Sequence, residues 1–270
     1  MDNPYTANIN INQILQQTIE ITKEVTQFIQ SEIGKINQND IEIKSLNSLV
    51  TYVDITSEQM LVEQLQKILP DASFLTEEET INKTQNDWQW IIDPLDGTTN
   101  FIHQIPVFAI SVALAYKNEI QLGVVLEINK NDCFYATKNN GAYLNGRKIS
   151  VTQTSKLEDS LIATGFPYYD FNKLEAYLNF LKFLMQKTRG IRRLGAASVD
   201  LCYVACGKFD AFFEYSLAPW DVAAGSLIVQ EAGGLVYDFS GENNFLYGKE
   251  IIACNNNLYN EFIYELKNQS

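Results

Sequence analysis

The chain has 270 residues, 46% of them hydrophobic, which is ample for a sizeable core in one large domain or two small ones. A formal net charge of −13 works against direct nucleic-acid binding, which needs clustered Lys and Arg, and a lone histidine, His103, leaves no Ser/His/Asp or Cys/His machinery. The first ten residues lack the basic and apolar regions of a signal peptide, and the longest apolar run, 107–116, is too short to span a bilayer, so a cytoplasmic protein with no membrane partner is expected.

Apolar groups at Ile11, Ile14, Leu15, Ile19, Val25, Phe28 and Ile29 keep a helical period and predict an amphipathic helix over about 9–33. Residues 41–53 read as a strand pair, with Asp54 at the end of the second strand. A second helix is expected from Ser57 to Leu69, ended by Pro70. The segment Ser73 to Glu79 reads SFLTEEE, and a solvated acidic surface is the ordinary reading of Glu77, Glu78 and Glu79.

Trp90 to Phe101 reads WIIDPLDGTTNF, the most informative stretch of the chain. Trp88 to Ile92 is aromatic and β-branched, as a buried strand should be, and Pro94 is expected to stop it by removing a ladder donor. Asp93 and Asp96 then project from the strand's carboxyl end, where ligands bind in open sheets. Gly97, Thr98 and Thr99 can begin a short helix whose free N–H groups suit an anion. An Asx-turn pair is the ordinary alternative for two such acids. Two acids beside an anion nest imply a divalent cation, and oxygen donors without thiolate or imidazole favour Mg²⁺ or Mn²⁺. His103, just beyond, reads as a capping or packing residue.

From Val107 to Val151 short β-rich runs are broken at Lys117-Asn118, 129–132, 139–141 and Asn145-Gly146, the pattern of an antiparallel meander. The second half alternates: a strand at Leu161 to Thr164, a helix at Leu174 to Gln186, a helix after Gly195, a strand at Ala211 to Glu214, a helix from Trp220, and a strand at Leu235 to Asp238. Such alternation marks an α/β half. Cys202 and Cys206, four apart on a helix, read as buried structural thiols, and all four cysteines suit a reducing compartment. Asp221, at a helix start, is also a plausible N-cap. With no Pro, Gly or Ser linker, two subdomains of about 1–152 and 153–270 are expected in one compact body.

The motif from Trp90 to Phe101 resembles the signature of the inositol monophosphatase family of metal-dependent sugar phosphatases. Ser73 to Glu79 looks like that family's metal-ligand glutamate segment, and Trp220 to Gly234 (WDVAAGSLIVQEAGG) looks like its C-terminal signature. Weaker similarity at 47–54, 123–125, 141–149 and 194–206 extends the resemblance over nearly the whole chain. It implies the layered αβαβα sandwich of the sugar phosphatases, a class of α/β (α+β) fold, with the site in the cleft between the two halves. A homodimer and sensitivity to Li⁺ are also implied.

By this resemblance one Mg²⁺ is held by Glu77, Asp93 and the carbonyl of Leu95, and a second by Asp93, Asp96 and Asp221. A third, weaker site lies near Glu77 when substrate binds. Spacing leaves Glu78 and Glu79 as rival ligands. Thr98 would orient the attacking water, with Asp54 drawing the proton away and the N–H groups of Gly97 and Thr98 holding the phosphate. Family positions for the sugar ring fall on Asp96, Gly195, Ala196, Ala197 and Glu214. Ser48 stands where the family often has Asp or Asn, and the flexible-loop lysine falls on Lys44 only with a one-residue slip.

The expected activity is Mg²⁺-dependent hydrolysis of inositol monophosphate or a similar sugar phosphate, with the TTNF ending and Glu214 favouring the inositol branch. Fructose-1,6-bisphosphatase, histidinol-phosphatase or nucleotide phosphatase activity is the alternative on the same metal core. A protein-binding regulator on the same fold is the alternative from another class.

Overall fold

The computed structural model describes residues 9–45, 48–81, 86–168 and 170–269. Asn47, most of the segment read for a leader, and the side chains of Lys44 and Ser48 lie outside the described residues.

Asn10 opens the first helix by accepting a hydrogen bond from the N–H of Gln13 on its Oδ1 at 3.2 Å, and α1 runs Ile11–Glu32. The strands β1 (Ile41–Ser45) and β2 (Ser48–Thr51) pair antiparallel. The next helix, α2 (Tyr52–Ile68), starts five residues before the expected Ser57. Thr51 is the reason. Its Oγ1 accepts from the N–H of Val53 at 3.1 Å, while its own N–H donates to Asp54 Oδ2 at 2.9 Å, which closes a capping box. Asp54 therefore sits in the first turn of a helix, not at the end of a strand.

A seven-stranded sheet follows in chain order: β3 (Ser73–Thr76), β4 (Trp88–Asp96), β5 (Ala109–Tyr116), β6 (Glu119–Glu127), β7 (Asp132–Thr137), β8 (Ala142–Leu144) and β9 (Arg147–Lys148). Only β3 and β4 pair in parallel; the rest form the expected meander. A one-turn helix, α3 (Thr98–Ile102), interrupts the sequence after β4. Asn145 and Gly146 turn the last hairpin with φ of 48° and 82°.

The second half contains β10 (Leu161–Thr164), α4 (Leu174–Lys187), β11 (Gly190–Arg192), α5 (Ala197–Ala205), β12 (Ala211–Tyr215), α6 (Pro219–Glu231), β13 (Leu235–Tyr237), β14 (Glu250–Cys254) and α7 (Tyr259–Gln269). Its sheet has the order β11-β10-β12-β14-β13. It is mixed: β10 is parallel to β11 and β12, while β14 runs antiparallel to β12 and β13.

The strand period sorts the side chains into layers. Ile110, Val112 and Leu114 of β5 pack with Val25, Ile29, Leu61 and Leu65 of α1 and α2. The alternate residues Ala109, Ala113 and Ala115 face α5 and α6, which pack on their other side against Phe212, Ile251 and Ala253 of the second sheet. Phe180 and Phe262 of α4 and α7 cover the outer face at Phe213, Phe180 meeting Phe213 and Phe262 edge-on at 5.0 and 5.2 Å between ring centroids. The result is the αβαβα sandwich.

Small residues set how closely the central helices approach. At Gly123 of β6 a Cβ would lie only 2.8 Å from the carbonyl oxygen of Ala224, so strand backbone touches helix backbone there. Gly225 serves the same end within the helical layer, where a Cβ would meet Leu201 at 2.7 Å.

Candidate active site

The cleft lies where the carboxyl end of β4 meets the starts of α5 and α6, and its volume is about 800 Å³. Pro94 does not end β4 as expected. Pairing with β5 resumes beyond it, with Asp93 opposite Ser111 and Asp96 opposite Ala109, so three steps on one strand face two on the other. This is a β-bulge. Residues three apart in a regular strand point to opposite faces; the extra residue restores parity and turns Asp93 and Asp96 to the same side, towards α5 and α6.

Both carboxylates are buried. Asp93 Oδ1 accepts from the N–H of Leu95 at 2.9 Å, and Asp96 Oδ2 accepts from the N–H and Oγ of Ser198 at 2.8 and 2.5 Å. Gly97 then takes φ of 96° to cap α3, and a Cβ there would press on the carbonyl of Val107 at 3.0 Å. Immediately after it, Thr98 Oγ1 donates to Asp54 Oδ1 at 2.8 Å and lies 3.1 Å from the carbonyl oxygen of Leu95. Asp54 is buried and fully engaged, since its Oδ2 also takes the N–H and hydroxyl of Thr51 at 2.9 and 2.6 Å. Burial pushes its carboxyl up, against the lowering pull of Thr51 and Thr98.

Glu77 follows β3, anchored by its N–H to the carbonyl of Ile92 at 3.3 Å, and lines the cleft, whereas Glu78 and Glu79 do not. Asp221 comes from the other half. It is the third residue of α6, and its Oδ2 accepts from the N–H of Ala218 at 2.7 Å, so the capping role and the cleft position coexist.

These acids repel one another. Burial raises Asp93 well above the usual carboxylate range, and the charges of Glu77, Asp96 and Asp221 raise it further. Burial lifts Asp96 to about 6 against the hydrogen bonds of Ser198. Asp221 rises to about 7 through burial and then the charge of Asp96. Among the described residues no three of the acidic, imidazole or thiol groups converge as a finished metal cage. The donor set nevertheless suits a hard divalent cation: it is all oxygen and mutually repelling, with Asp93 and Asp96 buried and Glu77 and Asp221 half-buried.

At the far end of the cleft stands Glu214 of β12, also buried and raised by it, with Arg193 opposing. Gly165 packs flat against this carboxylate; any side chain there would overlap it. Gly195, Ala196 and Ala197 line the wall between the two ends. Sequence reading passed over four residues of this region: Ser198, Arg193, Tyr168 and Asp200. Arg193 Nη2 donates to the Tyr168 hydroxyl at 2.6 Å, and Asp200 is buried in the first turn of α5. For Arg193, Ser198 and Asp200 the only signal was proximity to the Gly195 segment, and Tyr168 had none. His103 is an exposed C-cap of α3, and Cys202 is buried in α5 with Cys206 capping that helix.

The profile of the inositol monophosphatase family matches residues 10–270. The chain belongs to that family. The putative Nus factor SuhB of Neisseria meningitidis serogroup B is 44% identical over 246 residues, covering 91% of this chain and 94% of that protein. Among solved structures, the extragenic suppressor protein suhB of Bartonella henselae superposes with a TM-score of 0.89 at 36% identity, covering 94% of this chain and 98% of that one. An IMPase from Thermotoga maritima follows with a TM-score of 0.86 at 34% identity, covering 94% and 97%. Among the described residues of this family member, no helix is long and apolar enough to cross a membrane.

Proposed function

We propose that the chain is a Mg²⁺-dependent phosphomonoesterase that hydrolyses inositol monophosphate. One observation carries the reading: the Thr98 hydroxyl donates its proton to buried Asp54 at 2.8 Å, beside buried Asp93, whose carboxyl is raised by the charges of Glu77, Asp96 and Asp221.

In this reading Glu77, Asp93 and the carbonyl of Leu95 would hold one Mg²⁺, and Asp93, Asp96 and Asp221 would hold a second, with a third, weaker site near Glu77. Bound Mg²⁺ supplies neutralisation of phosphoryl charge and a water acidic enough to ionise near neutral pH. The protein does the rest. With its proton committed to Asp54, Thr98 Oγ1 would accept a hydrogen bond from a water, orient it towards phosphorus, and take the water's proton as its own passes to the Asp54 carboxylate, while the P–O bond to the inositol oxygen breaks. The N–H groups of Gly97 and Thr98 hold the phosphate. Glu214, Asp96 and the segment Gly195 to Ala197 receive the ring hydroxyls, with Arg193 offsetting the charge of Glu214.

The test is phosphate release from inositol 1-phosphate, fructose-1,6-bisphosphate, histidinol phosphate and 3′-phosphoadenosine 5′-phosphate, with Mg²⁺ and with EDTA. Preference for the inositol ester, lost in EDTA, is expected; turnover of another ester alone moves the reading to that branch, and full turnover in chelator ends it. A second reading is favoured by the Neisseria relative, named a putative Nus factor. In it the chain acts as a regulator through a protein partner, and a pulldown with and without Mg²⁺ separates the two. The family likeness also supports a homodimer, checked by light scattering.

A further inference from the structure

Glu58 lies one turn beyond Asp54 on the same face of α2, is fully buried, and has no part in the chemistry proposed above. Its carboxylate accepts four hydrogen bonds from one short segment. Oε1 takes the Thr76 hydroxyl at 3.0 Å, the N–H of Thr80 at 2.8 Å and the Thr80 hydroxyl at 2.6 Å, while Oε2 takes the N–H of Glu78 at 2.7 Å. These donors bracket Glu77 on both sides. The segment includes Glu79 at φ of 52°, a left-handed conformation that a non-glycine residue keeps only when its surroundings over-determine it.

We propose that Glu58 is a positioning residue that fixes the aim of the Glu77 carboxylate and so sets how tightly a divalent cation binds. The inference rests on Glu77 being a metal ligand. One helix face then serves two parts of the site: Asp54 holds Thr98, and one turn later Glu58 holds the segment that carries Glu77. Anchoring matters because Glu77 follows the end of β3, tied to β4 at its own N–H by the carbonyl of Ile92. Residues that orient metal ligands in this way typically contribute about 10–100-fold to metal affinity.

Glu58→Gln tests this, because the carboxamide keeps the size but sets an NH₂ group against the N–H of Glu78, donor facing donor. Substrate-free binding of Mn²⁺, followed by electron paramagnetic resonance, should weaken by about 10–100-fold, while kcat at saturating Mg²⁺ stays within a few-fold of wild type. Thr80→Val, which removes one bond from the loop side, should shift binding in the same direction by less, and it serves if Glu58→Gln folds poorly. Glu77→Gln is the control. If it weakens Mn²⁺ binding while Glu58→Gln and Thr80→Val lower only the melting temperature, Glu58 is structural and the inference is overturned. If Glu77→Gln leaves binding unchanged, the reading of Glu77 as a ligand has failed, and the inference with it.

Discussion

Asp54 and Thr98 stand forty-four residues apart in the chain and 2.8 Å apart in space, hydroxyl to carboxylate. The bond fixes which way the Thr98 proton points, because a carboxylate acceptor outcompetes the Leu95 carbonyl at 3.1 Å. Thr98→Ala should reduce kcat by roughly 10²-fold or more, the scale of general-base assistance, with Mg²⁺ affinity and KM nearly unchanged. Asp54→Asn should do much the same. Since the pair acts as one unit, the double variant should be little worse than either single one. Rate losses that multiply would separate the two residues and return Asp54 to a purely helix-capping role.

Asp93 feels the charges of Glu77, Asp96 and Asp221 together, which raise its carboxyl. Asp93→Asn should therefore be the most damaging single ligand substitution. A loss of less than tenfold in kcat, a cost of under about 1.4 kcal/mol, measured at saturating Mg²⁺, would show that Asp93 does not bridge.

The raised carboxyls make stability depend on pH in a definite sense. Asp96 and Asp221 titrate at about 6 and about 7 in the folded protein, against an ordinary 3.8. Below the ordinary value both states are protonated and folding carries no penalty from them. As pH rises through 6 and 7 the folded protein must ionise them while buried, and that stability is lost. In EDTA the urea midpoint should fall between pH 5 and pH 8, and Mg²⁺ should restore it. Asp221→Asn should flatten that slope and be the more stable protein at pH 8 without metal. A wild-type midpoint indifferent to Mg²⁺ at pH 8 would count against a cation site there.

Glu214→Gln should raise KM for an inositol phosphate far more than it lowers kcat, because a ring-hydroxyl contact is made about equally in ground and transition states. The check is the same pair of constants on an acyclic phosphate ester. Equal losses on both substrates would make Glu214 structural.

Much of this was legible beforehand because it is written locally. The period of α1, the turn at Asn145-Gly146 and the strand Leu161–Thr164 follow from residue patterns a few positions long. Two errors had one cause. The start of α2 and the fate of Pro94 both depend on hydrogen bonding that competes with a local propensity: the Thr51 capping box overrode an apparent strand, and β5 carried β4 past its proline by way of a bulge. Ser198, Arg193 and Asp200 were illegible for another reason. Their positions around Asp96 and Glu214 arise from the packing of α5 between two sheets, and no spacing in the chain encodes that contact.

The close approach at Gly123 and Ala224 also bears on how the cleft can open. Asp221 rides on the same helix, three residues before Ala224, and backbone lies against backbone with no side chain between to act as a bearing. A hinge opening between the two halves along this seam would break that backbone-to-backbone packing. Entry and product escape are then expected at the rim, where Tyr168, Tyr247 and Lys249 line the cleft.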